Sequence, residues 1–295
     1  MADLPEASID ALYEQVRTAT PVAVSDALPK LAQVAPGIRV LALRTPTLPP
    51  AAHTNVYLVG PTGGPVMVVD PGSPYPDQQA ALDGVLATEQ LVRVLLTHHH
   101  GDHVGGARSL ADRWNVPIAA HANTAKRLRG RVVVDQELVD GETVDGVTCV
   151  FTPGHADGHL CFEVGGATIV GDMVAGLGTI LIDPSEGDMA VYLRSLGVLL
   201  ARPPAVLLPA HGPTIPDGPA KLREYIAHRT MREDRVVAAL AGMTDGALGE
   251  VVAVAYADTP RILWPLAERS LHAHLDKLVA EGRAREVSPG RWSSR

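Results

Sequence analysis

The chain alternates between short apolar runs and clusters of turn residues through most of its length. These runs are rich in Val, Leu and Ile and are bounded by Gly, Pro, Asp and Asn, which is typical of β-strands. Helical segments fall between several of them, so two successive rounds of strands and helices predict a layered α/β architecture. Periodicity alone does not fix how the sheets stack. The predicted strands are at 39–43, 56–59, 66–70, 92–97, 117–121, 147–152, 160–164, 168–171 and 205–209.

The first 36 residues differ from this pattern and are interpreted as an N-terminal extension. Ile9, Leu12, Tyr13 and Val16 recur at helical spacing, which predicts a partly amphipathic helix. We expect the extension to pack on the surface of the protein or on a partner.

The last third of the chain becomes helical again, with predicted helices at about 219–240, 248–256 and 264–281. The final stretch, 284–292, has Ser-Pro-Gly at its centre and is typical of a β-hairpin. Three helices followed by a hairpin predict a winged-helix module. The predicted domains are therefore an extension at 1–36, a catalytic domain at 37–214 and a winged-helix domain at 215–295.

Composition narrows the classes of function. The formal net charge of −8 at pH 7 argues against a general binder of nucleic acid or anionic membranes, because phosphate affinity depends on accumulated Lys and Arg. Cys149 and Cys161 are too far apart in sequence to form a zinc-binding or redox pair and are interpreted as buried thiols. The start is acidic, and no stretch approaches the roughly 18 apolar residues of a membrane span. We expect a cytoplasmic protein with no membrane partner.

The strongest chemical signal is the segment Thr97-His-His-His-Gly-Asp-His-Val-Gly-Gly, directly after an apolar strand. Neutral imidazoles and a carboxylate suit a borderline ion such as zinc, and alternation lets His98 and His100 point the same way while His99 points elsewhere. Asp102 and His103 add two more ligand types within the same loop. The segment predicts a metal site.

Further candidate ligands follow later apolar runs. His155 lies in Thr-Pro-Gly-His, Asp172 in Gly-Asp and His211 in Pro-Ala-His-Gly. Each is a lone polar residue at the end of a predicted strand, and together with the first segment they complete a ligand set for two ions.

These segments resemble the metal motifs of the metallo-β-lactamase superfamily in type and order, over roughly residues 38–214. The resemblance implies a four-layer αββα sandwich with the site at one edge of two sheets. It also implies two divalent cations, with zinc preferred and iron or manganese as alternatives. In that family pattern the first cation is held by His98, His100 and His155, the second by Asp102, His103 and His211, and Asp172 bridges both.

A carboxylate has two oxygens and can span cations roughly 3.5–4 Å apart, and a water held between them becomes hydroxide near neutral pH. Asp102 lies beside this nucleophile in the proposed arrangement and is the candidate catalytic residue that orients it and shuttles protons. His159 and Asp70 match further family positions and are interpreted as groups that orient a ligand or face the substrate.

The resemblance extends beyond the metal motifs. Asn55, the segment 225–233 and the winged helix resemble the lactamase-β-like branch that includes mitochondrial endoribonucleases. The aspartate at 172 argues against the zinc β-lactamases that use cysteine there, and no motif for a lactam carboxylate is recognisable. The motif Thr-His-His-His-x-Asp-His also resembles glyoxalase II, but no glutathione-binding pattern is recognisable in the C-terminal region.

Three functions remain open at this stage. The first is a binuclear hydrolase of a small ester, thioester or lactone, favoured by the acidic composition. The second is a metal-dependent endoribonuclease of single-stranded RNA, for which Arg283, Arg285 and Arg291 on the predicted wing are candidate nucleic-acid contacts. The third is a non-enzymatic module that binds nucleic acid or a partner, which leaves a complete ligand set without a role.

Overall fold

The computed structural model describes residues 7–23 and 29–295. Its first sheet has seven strands in chain order. Strands β1 to β4 pair antiparallel and β4 to β7 pair parallel. The strands are β1 (Ala32–Ala35), β2 (Ile38–Arg44), β3 (His53–Val59), β4 (Pro65–Val69), β5 (Gln90–Leu95), β6 (Ile118–His121) and β7 (Gln136–Leu138).

The second sheet has five strands in the spatial order 12-11-10-9-8. Neighbouring strands of this sheet pair antiparallel, except that the two strands that come last along the chain pair parallel to each other. The strands are β8 (Thr143–Val144), β9 (Val147–Phe151), β10 (Leu160–Val164), β11 (Ala167–Gly171) and β12 (Val206–Pro209).

The helices cover the outer faces of both sheets or extend toward the C-terminus. They are α1 (Ala7–Ala19), α2 (Pro76–Leu86), α3 (Gly101–Val104), α4 (Ala107–Trp114), α5 (Ala122–Arg127), α6 (Met189–Ala201), α7 (Gly218–Ala241), α8 (Leu248–Ala255) and α9 (Trp264–Ala280). None of the helices in the described part of the chain combines the length and apolar character needed to span a bilayer.

Side-chain alternation explains the layering. In β3, Val56 and Leu58 pack under α2 to α4, whereas Tyr57 and Val59 point between the two sheets. In β10, Leu160 and Phe162 face the first sheet while Cys161 packs under α6 and α7. Each fully buried side chain of this size contributes about 1.5–3 kcal/mol, and a slip of one residue would move each set of side chains into the wrong layer. The predicted four-layer αββα sandwich is confirmed.

A single long helix joins this sandwich to the C-terminal module. The N-terminal half of α7 buries Leu222 and Tyr225 against the second sheet, and its C-terminal half buries Val236 and Leu240 in a separate core with α8 and α9. A three-stranded sheet completes that core, made of β13 (Gly246–Ala247), β14 (Ala284–Ser288) and β15 (Arg291–Ser294). The predicted winged helix is confirmed, and the boundary at residue 215 remains a prediction.

The sequence pattern located nine of the strands to within a few residues but missed four short ones, β1, β7, β8 and β13. Strands this short contain too few residues for a period of two to be recognised. Both cysteines are buried and free, as expected. The helix predicted in the N-terminal extension is α1, in which Val16 is buried, while residues 1–6 and 24–28 and the side chain of Ile9 lie outside the described part.

Candidate metal centre

The main ligand segment begins where β5 ends and turns at once into the short helix α3. Its path depends on Gly72, because a Cβ there would lie 1.7 Å from the carbonyl oxygen of Asp102. The turn that contains Asp70 and Gly72 therefore packs directly against the ligand segment. Asp70 accepts hydrogen bonds from the Thr97 amide at 2.8 Å and from the Thr97 hydroxyl at 2.6 Å, which fixes the start of the segment.

Three histidine nitrogens converge as the first group. The Nε2 atom of His98 lies 2.9 Å from Nδ1 of His100, and Nε2 of His155 lies 3.3 Å and 3.0 Å from these two atoms. All three rings present a nitrogen to one small volume. This is the set predicted for the first cation.

A second group lies beside the first. Nε2 of His211 is 3.5 Å from Oδ2 of Asp102 and 3.3 Å from Oδ1 of Asp172, and Nε2 of His103 is 3.5 Å from the same Asp172 oxygen. The other oxygen of Asp172, Oδ2, lies 3.6 Å from Nε2 of His155 in the first group. Asp172 thus faces both groups with one oxygen each, which is the arrangement predicted for a bridging carboxylate.

The donor set fits two cations. Nε2 of His103 and Oδ1 of Asp172 are buried and have no hydrogen-bond partner, which is costly unless another group satisfies them. Within each of two candidate ligand groups, the donor atoms all lie within 4.8 Å of one another. The first group is His98, His100 and His155, and the second is Asp102, His103 and His211. Nitrogen and carboxylate donors of this kind suit zinc and other divalent first-row ions.

The second nitrogen of a ligand histidine donates to an oxygen and thereby fixes the tautomer. Nδ1 of His103 donates to Asp70 at 2.8 Å, so in the neutral ring Nε2 carries the lone pair that a cation needs. Nδ1 of His155 donates to the carbonyl of Leu181 at 2.9 Å. Asp70 therefore contacts both a candidate ligand and the start of the ligand segment, and its orienting role remains a prediction.

His211 is held in the same way from β3. Its Nδ1 donates to the carbonyl of His53 at 3.1 Å, and the side chain of Asn55 donates to the carbonyls of Pro209 and Gly212 at 2.8 Å each. The polar residues of β3 thus set the position of the last ligand.

His159 lies within the site but faces no ligand group directly. Its Nε2 accepts a hydrogen bond from the amide of Asp172 at 3.2 Å, and its Nδ1 donates to the hydroxyl of Thr152 at 2.9 Å. The side chain is fully buried. His159 thus contacts the backbone of Asp172, and its side chain does not line the cavity described below.

The charges of the cluster act strongly on its protonation. Burial lowers the pKa of His103, but the carboxylates of Asp102, Asp172 and Asp70 outweigh burial and raise this pKa to about 10. Burial and the neighbouring His100 lower the pKa of His155 to about 4. A proton on His103 competes with a cation for Nε2, so cation affinity is expected to rise with pH.

Glu186 is a candidate functional residue that the sequence pattern did not reveal. Its Oε1 accepts a hydrogen bond from Nε2 of His100 at 2.6 Å, and its Oε2 accepts one from Nε2 of His99 at 2.7 Å. The carboxylate fixes the His100 tautomer that leaves Nδ1 for a cation. No local signal marks Glu186, because it lies on the loop of residues 172–188, far from the histidines in sequence.

We expect Glu186→Gln to lower the affinity for the first cation about 10-fold to 100-fold, the effect typical of losing a group that orients a metal ligand. A glutamine has only one acceptor oxygen, so either His99 or His100 loses its partner. Competition of the loaded protein with a chelator measures the change. Glu163→Gln is the matched control, since Glu163 pairs with Arg202 at the surface, and an equal loss in both variants would contradict the role of Glu186.

The centre opens into a cavity of about 890 Å³. Asp102, Asp172 and His211 lie at one end, and Tyr13 and Arg17 of α1 contribute to the walls. The loop after β2, the 172–188 loop and the C-terminal module form the remaining walls, which contain many Leu, Pro and Ala side chains. A cavity of this size and lining accommodates a small organic substrate.

The C-terminal module also holds the 172–188 loop in place. Arg269 of α9 makes a buried, bidentate ion pair with Asp183, with both N to O distances at 2.6 Å. Arg229 of α7 donates to the carbonyl of Ile180, and the hydroxyl of Tyr225 accepts from the amide of Ala175 at 2.8 Å. The module thus fixes the loop that orients His155 and His100.

The arginines predicted to contact nucleic acid lie on the wing but are engaged with neighbours. Arg291 pairs with Asp245 at 2.8 Å and with Glu250 at 3.4 Å, and Arg283 pairs with Glu233 and Glu281. Arg285 donates to the hydroxyl of Ser293 at 3.0 Å. Carboxylates compensate two of the three charges, so the wing does not present a basic surface of three independent cations.

Two protein-family models match segments of this chain. The family model described as metallo-beta-lactamase superfamily matches residues 49–211, and the model for a beta-lactamase associated winged helix domain matches residues 248–292. The lactamase-like protein vrtG of Penicillium aethiopicum is 34% identical over 82% of this chain and 85% of its own length.

Two further relatives and two solved structures are similar to this chain. The beta-lactamase-like protein 2 homolog of Drosophila melanogaster is 31% identical over 79% of this chain and 84% of its own length. An atrochrysone carboxyl ACP thioesterase of Aspergillus chevalieri is 36% identical over 63% of this chain and 60% of its own length.

A beta-lactamase domain protein from Burkholderia ambifaria has a TM-score of 0.78 and 23% identity, covering 92% of this chain and 96% of that one. A metallo-beta-lactamase family protein from Thermus thermophilus has a TM-score of 0.74 and 24% identity, covering 89% and 100%.

Proposed function

This chain belongs to the metallo-β-lactamase superfamily, and we propose from that premise that it is a binuclear metal-dependent hydrolase of a small ester, thioester or lactone. The observation that carries the proposal is the position of Asp172, whose two oxygens face two separate groups of ligand atoms at 3.3–3.6 Å. A carboxylate in this position suits two cations that share a site.

The cations, zinc by the nature of the donors, would supply Lewis acidity and lower the pKa of a water near them. The protein contributes the geometry. His98, His100 and His155 hold the first position, and Asp102, His103 and His211 hold the second. Asp102 also lines the cavity, so its carboxylate is placed to accept a proton from the attacking water and to pass it on.

Two observations support a small acyl substrate. The C-terminal module closes one side of the cavity, and the Leu, Pro and Ala side chains of the lining offer apolar surface to an acyl chain. One relative is named as a thioesterase that acts on an acyl carrier protein, which makes a thioester the first substrate to test. A complete ligand set with an adjoining cavity also favours an enzyme over a non-enzymatic binding module.

The experiment is to purify the protein, quantify its metals by plasma mass spectrometry and assay one sample on acyl thioesters, lactones and a short single-stranded RNA. We expect close to two zinc or other divalent ions per chain and turnover of at least one acyl substrate. Cleavage of RNA without acyl turnover would overturn the proposed substrate class and favour the endoribonuclease alternative.

Replacement of the wing arginines separates the two substrate classes further. The double variant Arg285→Ala with Arg291→Ala leaves Arg283, whose ion pair with the buried Glu233 supports the module, in place. We expect thioester kcat/KM to change by less than about 2-fold, because exposed charges remote from the cavity contribute little. A protein that used this wing to hold RNA would instead show weaker RNA cleavage with a reduced dependence on salt.

A further inference from the structure

The wall of the cavity formed by the C-terminal module is basic. Four of its residues lie close together on α7 and just after α8, and we call them the basic cluster: His228, Arg229, Arg232 and Tyr256. The guanidinium of Arg232 lies 4.3 Å from the centre of the Tyr256 ring. Burial raises the pKa of Tyr256 to about 12 although Arg229 and Arg232 act to lower it, so both cations are close to its hydroxyl.

Several polar atoms of this cluster are buried without a partner. The hydroxyl of Tyr256 and the Nε atoms of Arg229 and Arg232 make no hydrogen bond, while the three residues are only 6%, 3% and 6% exposed. Buried donors are nearly always satisfied in folded proteins, because leaving them unpaired costs free energy. All three residues line one wall of the cavity, so this wall has donor atoms that no group of the described residues uses.

Carboxylates compensate the charge of this wall only in part. Arg232 pairs with Asp258 at 2.8 Å, but no carboxylate of the described residues pairs with Arg229, which donates to the carbonyl of Ile180 and lies over the ring of Tyr192. The acidic residues among those that line the cavity are all at the metal end: Asp102, Asp172 and Glu186. The wall therefore keeps the positive charge of Arg229, in a chain whose net charge is −8.

We propose that the basic cluster is an anion subsite, and that the substrate is an acyl compound with a carboxylate or phosphate group remote from the bond that is cleaved. The proposal rests on the function proposed above and specifies its substrate class. Two guanidinium groups and a phenol match the acceptor oxygens that carboxylates and phosphates share.

One loop contacts both the basic cluster and the candidate metal centre. Arg229 binds the carbonyl of Ile180, and the carbonyl of the next residue, Leu181, binds the ligand His155. Consecutive Cα atoms are about 3.8 Å apart, so the subsite and the metal centre are close along this loop. A linker of a few bonds between the acyl carbon and the anionic group is expected to reach both.

The test uses acyl thioesters matched in length, with and without a terminal charge. We would compare succinyl with butyryl and glutaryl with pentanoyl thioesters of N-acetylcysteamine, and add 3-phosphonopropanoyl as the phosphate-like member. The wild-type protein is expected to have higher kcat/KM for the charged member of each pair. Arg229→Gln is expected to lower that ratio about 10-fold to 100-fold, as for loss of a hydrogen bond to a charged group, and Tyr256→Phe about 3-fold to 10-fold.

A ratio between substrates is insensitive to the fraction of folded enzyme, so a general loss of stability does not imitate the effect. Arg229→Lys keeps the charge and is expected to recover part of the preference. Arg235→Gln is the matched control, since Arg235 lies on the same helix and pairs with the same Asp258 but does not line the cavity. An unchanged ratio in both Arg229→Gln and Tyr256→Phe would overturn the subsite.

A binding measurement separates this proposal from the proposed function. Calorimetric titration of the cation-loaded protein with succinate and with inorganic phosphate requires no turnover, and binding that is lost in Arg229→Gln but kept in Arg235→Gln supports the subsite. Which anion binds decides between carboxylate and phosphate. Anion binding without hydrolysis of any acyl substrate would contradict the hydrolase and leave the subsite standing. If neutral and charged substrates were turned over at equal rates and no anion binding depended on Arg229, the hydrolase would stand and the anion subsite would be refuted.

Discussion

Asp172→Ala is expected to reduce hydrolysis by more than about 1,000-fold and to lower the bound metal well below that of the wild-type protein. Asp172 presents one oxygen to each ligand group, so its removal takes a ligand from both cation positions. Charge stabilisation by bound cations is worth several kcal/mol, and each 1.36 kcal/mol corresponds to a factor of about ten in rate.

The variant is also expected to stay folded. His159 binds the amide of Asp172, a backbone contact that alanine retains. Steady-state kinetics, metal quantification and circular dichroism on the same preparation test these three outcomes. Asp112→Ala, which removes an exposed carboxylate paired with Arg108, is the control. Wild-type turnover in a folded Asp172→Ala protein would refute the assignment of the metal centre.

Arg269→Met is expected to destabilise the protein by about 3–5 kcal/mol, because it leaves the buried carboxylate of Asp183 without its partner. Asp183 is 3% exposed and Arg269 is 7% exposed, so water does not replace the lost interaction easily. The ion pair joins α9 to the 172–188 loop, which carries Leu181 and Glu186. We therefore also expect affinity for the first cation to fall about 10-fold to 100-fold.

A double variant distinguishes the buried charge from a general loss of packing. Removing both partners of a buried ion pair is often much less costly than removing one, so Arg269→Met with Asp183→Asn should recover most of the lost stability. Denaturant unfolding, with and without added cation, measures both effects. Arg291→Met at the exposed pair with Asp245 is the control and is expected to change stability by less than about 1 kcal/mol. Equal stability of Arg269→Met and the wild type would show that α9 does not hold the loop.

The two predictions concern one physical connection. The candidate metal ligands come from loops of the sandwich, but the loop that contacts His155 and His100 is held by side chains of α7 and α9. The C-terminal module therefore contributes to the centre and to the cavity wall. This role does not require the module to bind nucleic acid.

Several features were determined by the sequence alone because their signals are local. Alternation of apolar residues located the long strands, and helical spacing located α7, α8 and α9. The spacing of His98, His100, Asp102 and His103 brings four ligands together because the segment turns from a strand directly into a helix. The lone residues His155, Asp172 and His211 were found because each follows a strand end, where chain segments of this architecture converge.

Other features were decided only by the tertiary structure. Glu186, the ion pair of Arg269 with Asp183, and the basic cluster join residues that are distant along the chain, and no periodicity or spacing marks them. The wing arginines looked alike in sequence, yet the charges of Arg283 and Arg291 are compensated by carboxylates that the fold brings beside them. The physical reason is the same in each case. The type of a candidate ligand and the position of a strand can be predicted from residues that are neighbours in sequence. The partner of a charged side chain depends on how separate helices and loops pack.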